Sequence, residues 1–387
     1  MSGVVLISTA EFALKSQPVR QQLARQLKRH IRFSLKRIGQ EGYRIRSVGG
    51  FLVVDHLSNA EQVANTLYRI LGVSHADACE RVATDLSQIV DHVVKVAERT
   101  VKHEETFAVR ARRFQPSLLK GKEIEMRAGS EILSRLPSGV KVNLDSPNHT
   151  FRVFYGVNDA YISARRLSGP GGLPVGSQGS LLGLATDPAY APLAFYLLMK
   201  RGAIVWPVIA DLPPLGGGGF PPDNILEGLK KLRPYVPKNR YQARLIRLDE
   251  NTRQALVSVR PDIQRAFCMR LMFRAVKHLS RTALGLVTGD KFGQGGVGSL
   301  KDLRAFDEVA TFPVYRPLLT LDDAYVRQQL EQLGLAPLAL EKTAPRAPPT
   351  AHEEFIGEVR TLENRLQADQ LSQSIAADAR RLQIDFP

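Results

Sequence analysis

Short apolar runs alternate with longer amphipathic segments throughout the second half of the chain. The runs are rich in aliphatic residues and have the length of strands, whereas the segments between them repeat apolar residues every three or four positions. Strands that alternate with helices are typical of a doubly wound parallel sheet, so we predict an α/β domain here. The predicted strands are 181–185, 204–209, 242–248 and 284–288, and the predicted helices are 191–201, 224–232 and 261–280.

The first part of the chain has a different order of predicted elements. Strand, helix, strand, strand, helix and strand follow one another up to about residue 75, which is the order of a ferredoxin-like α+β unit. Its long helix is clear from the sequence, because Val19, Leu23, Leu27, Ile31 and Leu35 recur every four residues. The predicted elements are strand 1–9, helix 18–37, strands 43–48 and 51–54, and helix 60–71.

A second α+β module follows. Its first strand alternates clearly, with Phe107 and Val109 on one side and Arg110 and Arg112 on the other. The predicted elements are helix 84–101, strand 106–112, helix 124–136, and strands 140–144, 150–155 and 160–164. A glycine- and proline-rich stretch then separates this module from the α/β domain.

These patterns divide the chain into five segments. A helix at about 353–371 is the main feature of the last segment, which also contains a proline-rich break. The predicted segments are a ferredoxin-like domain (1–75), a second α+β domain (76–167), a hinge (168–180), a parallel α/β domain (181–340), and a C-terminal linker and helix (341–387).

The charge of this chain is unusual for a globular protein. Lys and Arg number 53 against 38 Asp and Glu, which gives a formal net charge of +15. Residues 1–172 hold 26 basic and 16 acidic residues, whereas the remainder holds 27 and 22. Because basic side chains that face phosphates release condensed counterions, the surplus favours a polyanionic partner for the first half. A general solubility bias is the alternative.

The two cysteines, Cys79 and Cys268, are far apart in the sequence. This spacing argues against a disulfide framework and against a zinc site, whose ligands are clustered, and it fits a reducing compartment. We see neither a signal-peptide pattern nor an apolar run of the roughly 20 residues that span a bilayer. We therefore expect a cytoplasmic protein that has no membrane partner and no bound metal.

Eight short motifs, in order along the chain, resemble those of one family. They resemble the tRNA 4-thiouridine synthetase (tRNA sulfurtransferase) family, which joins a THUMP RNA-binding domain to a PP-loop ATP pyrophosphatase domain. The resemblance implies that 76–167 is a THUMP domain, that 181–340 is PP-loop-like, and that tRNA is a partner. The motifs are 11–20, 107–113, 129–133, 142–147, 171–176, 192–202, 286–294 and 316–318.

The loop at 186–191 departs from the family pattern. The family carries Ser-Gly-Gly-x-Asp-Ser here, and PP-loop chemistry needs backbone amides at a helix N-terminus to bind the ATP phosphates. In this chain Asp187 and Pro188 replace the two glycines, and proline has no N–H to donate. We therefore interpret the region as a relict nucleotide site and expect no cofactor. Its residues are Leu184, Ala185, Thr186, Asp187, Pro188, Tyr190, Ala191, Met269, Gly289 and Gly298.

The sulfur chemistry of the family has no counterpart residue either. The family uses a cysteine persulfide beyond the last strand of its PP-loop domain, and residues 269–387 contain no cysteine. Cys268 lies on an apolar helical face beside Phe267 and Leu271, which is typical of a buried structural cysteine. We therefore assign no catalytic residue.

Basic residues are retained near the family's signature segments. As a set they favour binding of RNA phosphates, whereas any one of them alone is more simply a solvated surface charge. Few aromatic residues lie among them, so we expect recognition of RNA shape and backbone. The candidate RNA-binding residues are Lys15, Arg20, Arg25, Lys28, Arg29, Arg110, Arg112, Arg113, Arg165, Arg166, Lys200 and Arg201.

Three functions are compatible with these observations. The first is a tRNA-binding homologue that acts in tRNA modification or handling without ATP-dependent catalysis of its own. The second is a divergent active tRNA sulfurtransferase, which would need ATP, Mg²⁺ and a sulfur carrier. The third is a partner subunit that presents tRNA to another modification enzyme and docks it through the C-terminal helix. The sequence leaves the oligomeric state open, a homodimer included.

Overall fold

The computed structural model of the protein describes residues 3–9, 11–212, 220–238, 240–292, 300–339 and 352–385. The chain forms two compact units, Met1–Pro174 and Val175–Pro387, and each unit is built on its own sheet. Much of the predicted 341–387 linker lies outside the described residues, as does Gly298.

The first unit is an α+β structure, as the sequence predicts. Its strands are β1 (Gly3–Ser8), β2 (Arg44–Val48), β3 (Phe51–Leu57), β4 (His75–Ala83), β5 (Thr106–Arg113), β6 (Lys141–Val142), β7 (His149–Tyr155) and β8 (Asp159–Ser168). Its helices are α1 (Gln17–Arg37), α2 (Ala60–Leu67), α3 (Leu86–Thr100) and α4 (Gly121–Arg135).

One sheet runs through the whole first unit, in the order β2-β3-β1-β4-β8-β7-β5-β6. The first four strands have the order of a ferredoxin-like unit, and the last four belong to the second module. The antiparallel pair β4 and β8 joins the two halves, with Asp77 opposite Arg166. This long-range pairing brings together residues that lie far apart in the sequence.

The four helices cover one face of this sheet. Helices α1 and α2 pack on Val5 and Ile7 of β1, and α3 and α4 pack on Val109 of β5 and Phe151 of β7. Side chains of alternate parity point to the opposite face, where Leu6, Val53 and Phe154 share a smaller aromatic cluster. We call this opposite face the helix-free face.

The second unit is an α/β structure whose sheet has the order β13-β12-β9-β10-β11-β14. Its strands are β9 (Ser180–Ala185), β10 (Ile204–Asp211), β11 (Gln242–Arg247), β12 (Leu286–Thr288), β13 (Val314–Tyr315) and β14 (Arg380–Gln383). Its helices are α5 (Tyr190–Lys200), α6 (Pro222–Lys230), α7 (Glu250–Val257), α8 (Pro261–Leu279), α9 (Leu300–Asp307), α10 (Asp323–Gln332), α11 (His352–Arg365) and α12 (Ala368–Ala377).

The sheet confirms the predicted α/β class, with one difference. Strands β9 to β13 are parallel, but β14 pairs antiparallel with β11, so the sheet is mixed. The strand had no clear sequence signal, because it is short, polar and lies at the edge of the sheet. The chain leaves β9 toward β10 on one side and later returns as β12 on the other, which places the topological switch point at β9.

The C-terminal segment differs from the predicted linker and single helix. A residue with left-handed backbone, Gln367, separates α11 from α12, and both helices pack against α8. Arg270 of α8 donates to both carboxylate oxygens of Glu363 in α11 at 2.8 Å. The α8-facing side of this helix is therefore buried in its own domain.

Candidate nucleotide loop and RNA-contact surfaces

The loop between β9 and α5 occupies the position where open α/β sheets bind ligands. It follows the carboxyl end of β9, next to the switch point between β10 and β12, and it leads directly into the N-terminus of α5. Such a helix N-terminus presents backbone N–H groups that attract anions. The structure therefore brings the predicted relict residues 186–191 to the expected place.

The Asp187 side chain occupies these N–H groups. Its Oδ1 accepts hydrogen bonds from the backbone nitrogens of Ala189 at 3.0 Å, Tyr190 at 2.5 Å and Ala191 at 3.2 Å. Its Oδ2 also lies 3.2 Å from the Ala191 nitrogen. The carboxylate thus makes the contacts that a phosphate would make at this helix end, and it supplies the negative charge that the helix dipole favours.

Pro188 and Tyr190 of the same loop also contact neighbouring parts of the second unit. Pro188 is buried, and its carbonyl lies so close to Gly228 of α6 that a Cβ at that glycine would clash with it. The Tyr190 ring lies 5.1 Å from the Lys291 ammonium, which also pairs with Asp323 at 2.9 Å. Lys291 is therefore engaged with groups of the protein itself.

Gly289 allows β12 to approach the start of α5. A Cβ at this position would lie 2.5 Å from the Ala191 nitrogen and 2.7 Å from its Cα, so that only glycine fits without a shift of backbone. The sequence placed this glycine only among the residues of the predicted relict site. The close approach of β12 to the start of α5 explains why a glycine stands at this position.

The carboxylates beyond β12 are also neutralised within the protein. Arg316 donates to Asp290 at 2.9 Å and to both oxygens of Asp307 at 2.5 and 2.8 Å, and Thr288 donates to Asp290 at 2.7 Å. Burial lowers the pKa of Arg316, but its hydrogen bond to Asp307 and the charge of Asp290 outweigh burial and raise it. No group of three or more metal-binding side chains is present in the part of the chain that the structure describes.

The triphosphate of ATP does not fit this arrangement. Three amides that would bind phosphate already bind Asp187, one N–H is missing at Pro188, and a phosphate would meet the Asp187 charge. A nucleotide would have to displace an internal anion that is held by the chain.

The other predicted relict residues are parts of the core. Leu184, Ala185 and Met269 are buried, and Met269 belongs to the cluster between the sheet and α8. Gly298 lies outside the described residues. The predicted set therefore contains the loop itself, Gly289 beside it, and positions that only pack beneath it.

Both thiols are buried. Cys268 is fully enclosed on α8, and burial raises its pKa to about 12. Cys79 lies on β4, and burial followed by the charge of Asp77 raises its pKa well above the usual value. The thiolate is the nucleophilic form of cysteine, so neither side chain is poised for sulfur transfer as the structure stands.

The basic residues of α1 form a single stripe. The helix contains no acidic residue, and five of its basic positions fall within about 100° of arc, opposite Leu27 and Ile31. Among the described residues, no carboxylate lies within ion-pair distance of these side chains. We call this set the α1 stripe: Arg25, Lys28, Arg29, Arg32 and Lys36. Lys15 and Arg20 are exposed just before it and at its start.

The β5 arginines, Arg110, Arg112 and Arg113, are exposed at the other side of the sheet. Arg110 and Arg112 belong to the helix-free face, where Arg110 donates to the Leu144 carbonyl at 2.5 Å and Arg112 lies 5.0 Å from the Phe51 ring. The α1 stripe lies on the helix-covered side. The candidate RNA-binding residues of the first unit therefore form two surfaces on opposite sides of one sheet.

Two predicted RNA contacts are engaged within the protein. Arg166 makes a bidentate pair with fully buried Asp77, at 2.9 and 3.0 Å, and Arg165 lies 3.5 Å from Glu61 of α2. Conversely, the predicted set omits Arg152, which stands beside Arg110 on the helix-free face. The sequence contained a signal for this residue, since Arg152 lies between apolar Phe151 and Val153 in a predicted strand and therefore faces away from the core.

Lys200 and Arg201 lie at the C-terminal end of α5. The helix begins at the loop, so these residues are separated from it by the length of the helix, which is about 16 Å. They are therefore not part of the candidate nucleotide site, and their placement adds no support to the predicted phosphate contacts.

Comparison with known families matches nearly the whole chain. A model of the ThiI ferredoxin-like domain matches residues 4–76, the THUMP domain matches 83–165, and a model described as thiamine biosynthesis protein (ThiI) matches 176–350. The fold and the site thus define a protein in which ferredoxin-like and THUMP domains precede an α/β domain of the PP-loop type.

Individual relatives agree with these matches. The chain is 26% identical over 352 residues to a probable tRNA sulfurtransferase of Thermococcus kodakarensis, and the match covers 86% of this chain and 88% of the relative. A tRNA sulfurtransferase of Thermoplasma volcanium is 28% identical over 342 residues, covering 86% of this chain and 68% of that protein. The chain belongs to the tRNA sulfurtransferase (4-thiouridine synthetase) family.

A solved structure has the same fold along the entire chain. It is a 4-thiouridine synthetase–RNA complex with bound ATP, with a TM-score of 0.80, 20% sequence identity and full coverage of both chains. Within the described residues, no helix has the length and apolar character that crossing a membrane requires.

Proposed function

We propose that this protein binds tRNA and acts in tRNA modification or handling without activating a nucleotide with ATP. One observation carries the second half of the proposal: the Asp187 carboxylate accepts hydrogen bonds from the amides of residues 189–191. In a PP-loop those amides serve the phosphates of ATP. In this protein the amides donate to the Asp187 side chain instead, so they do not serve to bind ATP.

The THUMP domain and the basic surfaces of the first unit support tRNA as the partner. Residues 83–165 match the THUMP model, and a relative of the same fold was solved in complex with RNA. The α1 stripe and the β5 arginines supply positive charge that the described acidic residues do not neutralise. Phosphate contacts of this kind position an RNA without reading its sequence. The proposal places the protein in the cytoplasm, where reduced buried thiols persist.

The alternative is a divergent active sulfurtransferase. It is favoured by the names of the relatives and by the loop's position at the switch point next to Gly289. Under that alternative, ATP would have to displace Asp187, and sulfur would come from an external carrier because both cysteines are buried.

Two binding measurements on the full chain separate these functions. We expect bulk tRNA to shift in a gel with an affinity that falls steeply with salt, and calorimetry with ATP and Mg²⁺ to give no heat at millimolar nucleotide. Saturable binding of ATP at micromolar concentration would favour the active enzyme. Absence of tRNA binding at low salt would refute both functions.

A further inference from the structure

A half-buried arginine on the helix-free face has no counterion among the described residues. Arg152 of β7 makes one side-chain hydrogen bond, to the Thr150 carbonyl at 3.3 Å. Among the described residues, no carboxylate lies within ion-pair distance of its guanidinium. A guanidinium carries five N–H donors, so most of the Arg152 donors have no partner in the part of the chain that the structure describes.

The nearest acidic group is already in use. Asp77 is fully buried, and Arg166 binds both of its oxygens at 2.9 and 3.0 Å. Burial lowers the pKa of Arg152, and the charge of Arg166 lowers it further. His75, on the same strand β4 as Asp77, has its pKa lowered by burial and then by Arg166, against the opposite effect of Asp77. The cluster therefore carries an excess of positive charge.

Arg110 lies in the same row of the sheet, and its guanidinium donates to the Leu144 carbonyl. It stands directly opposite Arg152 in the parallel pair of β5 and β7, at the strand spacing of about 4.8 Å. Like charges in directly opposite positions destabilise a sheet unless something neutralises them. The row continues to Ser163 of β8, whose hydroxyl is buried and donates to the Arg165 carbonyl.

We propose that Arg152, together with Arg110, forms a phosphate-binding subsite on the helix-free face that takes a phosphate group of the bound RNA. The ion pair of Arg166 and Asp77 lies beside this subsite. The Arg152 guanidinium provides the N–H donors that no described group accepts. A phosphate supplies both the missing acceptors and the missing charge, and an arginine binds it in a bidentate manner. This proposal rests on the proposed tRNA-binding function and identifies Arg152 as a residue through which the protein binds the RNA.

The matched substitutions are Arg152→Gln and Arg81→Gln. Both remove one positive charge from the same face, but Arg81 is 47% exposed and pairs with Asp159 at 2.7 Å. We expect Arg152→Gln to weaken tRNA binding about tenfold and to lower the salt slope of the affinity by about 0.7–0.9. Arg81→Gln is expected to change the affinity less than about twofold. Arg152→Lys is expected to keep the salt slope and lose part of the affinity.

Thermal unfolding of the RNA-free chain distinguishes a binding arginine from a structural one. Because no described carboxylate pairs with Arg152, Arg152→Gln is expected to leave the melting temperature unchanged or to raise it, and a fall of several degrees would overturn the proposal. Inorganic phosphate, exchanged for chloride at constant ionic strength, is expected to compete with tRNA on the wild type more than on Arg152→Gln. Phosphate binding without any change of tRNA affinity in Arg152→Gln would overturn the assignment to RNA.

Failure of the subsite and failure of the proposed function give different results. If the wild type binds tRNA and Arg152→Gln binds it with equal affinity and slope, the subsite is refuted and the function stands. If the wild type does not bind tRNA, the function itself is refuted.

Discussion

Removal of the Asp187 carboxylate tests whether the nucleotide loop is closed by the chain itself. Asp187→Ala frees the amides of Ala189, Tyr190 and Ala191, which are now bound at 3.0, 2.5 and 3.2 Å. Loss of a side-chain cap destabilises a protein by about 0.5–2 kcal/mol. Loss of a negative charge at a helix N-terminus adds about 0.3–1 kcal/mol, or up to 2 in a partly buried geometry. We therefore expect a loss of about 2 kcal/mol.

The expected loss is large enough to measure. For a domain of about 150–250 residues, 1 kcal/mol corresponds to about 2–4 °C in melting temperature, so the shift should be about 4–8 °C. Asp187→Asn keeps an oxygen acceptor and removes the charge, so it should lose only about 1 kcal/mol. Asp322→Ala is the matched control, because Asp322 caps α10 through a single hydrogen bond to the Tyr325 nitrogen at 2.7 Å.

Addition of inorganic phosphate shows whether Asp187→Ala has exposed an anion-binding site or has only destabilised the protein. If the freed amides bind inorganic phosphate with a dissociation constant of about 1 mM, then about 10 mM phosphate stabilises Asp187→Ala by about 1.4 kcal/mol. The wild type and Asp322→Ala should show no comparable gain. ATP should still fail to bind Asp187→Ala at micromolar concentration, because Pro188 and the missing glycines remain. A loss below about 0.5 kcal/mol in Asp187→Ala would refute the internal-anion reasoning.

Three further outcomes are expected. Reversal of all three charges of the β5 arginines should weaken binding of every tRNA alike and lower the salt slope by about 2–3, as measured by filter binding. Cys268, whose pKa burial raises to about 12, should resist alkylation at pH 8 in the folded chain and react in denaturant, as measured by mass spectrometry. Burial and then Arg29 lower the pKa of His30 from 6.5 to about 4; the unfolded state therefore binds the proton more tightly, and about 3 kcal/mol of stability should disappear as the pH falls from about 6.5 to 4. Urea titrations should show this loss in the wild type and not in His30→Gln.

The sequence predicted those elements whose periodicity is strong and local. The long helix expected at 18–37 is α1 (Gln17–Arg37), and the helix expected at 261–280 is α8 (Pro261–Leu279). Short elements such as α7 and β14 were missed, because eight residues or fewer carry too little periodicity. The loop was found from its departures from a family pattern, but the sequence indicated only that Asp187 stands where the family has a glycine. Its role as a cap depends on the direction of one side chain.

The RNA-contact surfaces show why a residue list from sequence is incomplete. Arg166 appeared to be one more basic residue near a signature segment, yet the pairing of β4 with β8 places it on Asp77, 89 positions earlier in the chain. Arg152, in contrast, has no carboxylate within ion-pair distance among the described residues. Which arginine is neutralised is decided by long-range strand register, and a sequence pattern does not contain that information.

The two units differ in how their charges are neutralised. This contrast is a physical argument that the protein binds an anionic ligand through its first unit and not at the loop of its second unit. In the second unit, Asp187 satisfies the N-terminus of α5 and Arg316 satisfies Asp290 and Asp307, so the loop is stable with no external ligand. In the first unit, the α1 stripe and Arg152 keep positive charge that the described carboxylates do not balance. Like charges four residues apart on a helix destabilise it by a few tenths of a kcal/mol each, and a polyanion relieves that repulsion. The free energy available for binding a ligand therefore lies with the first unit.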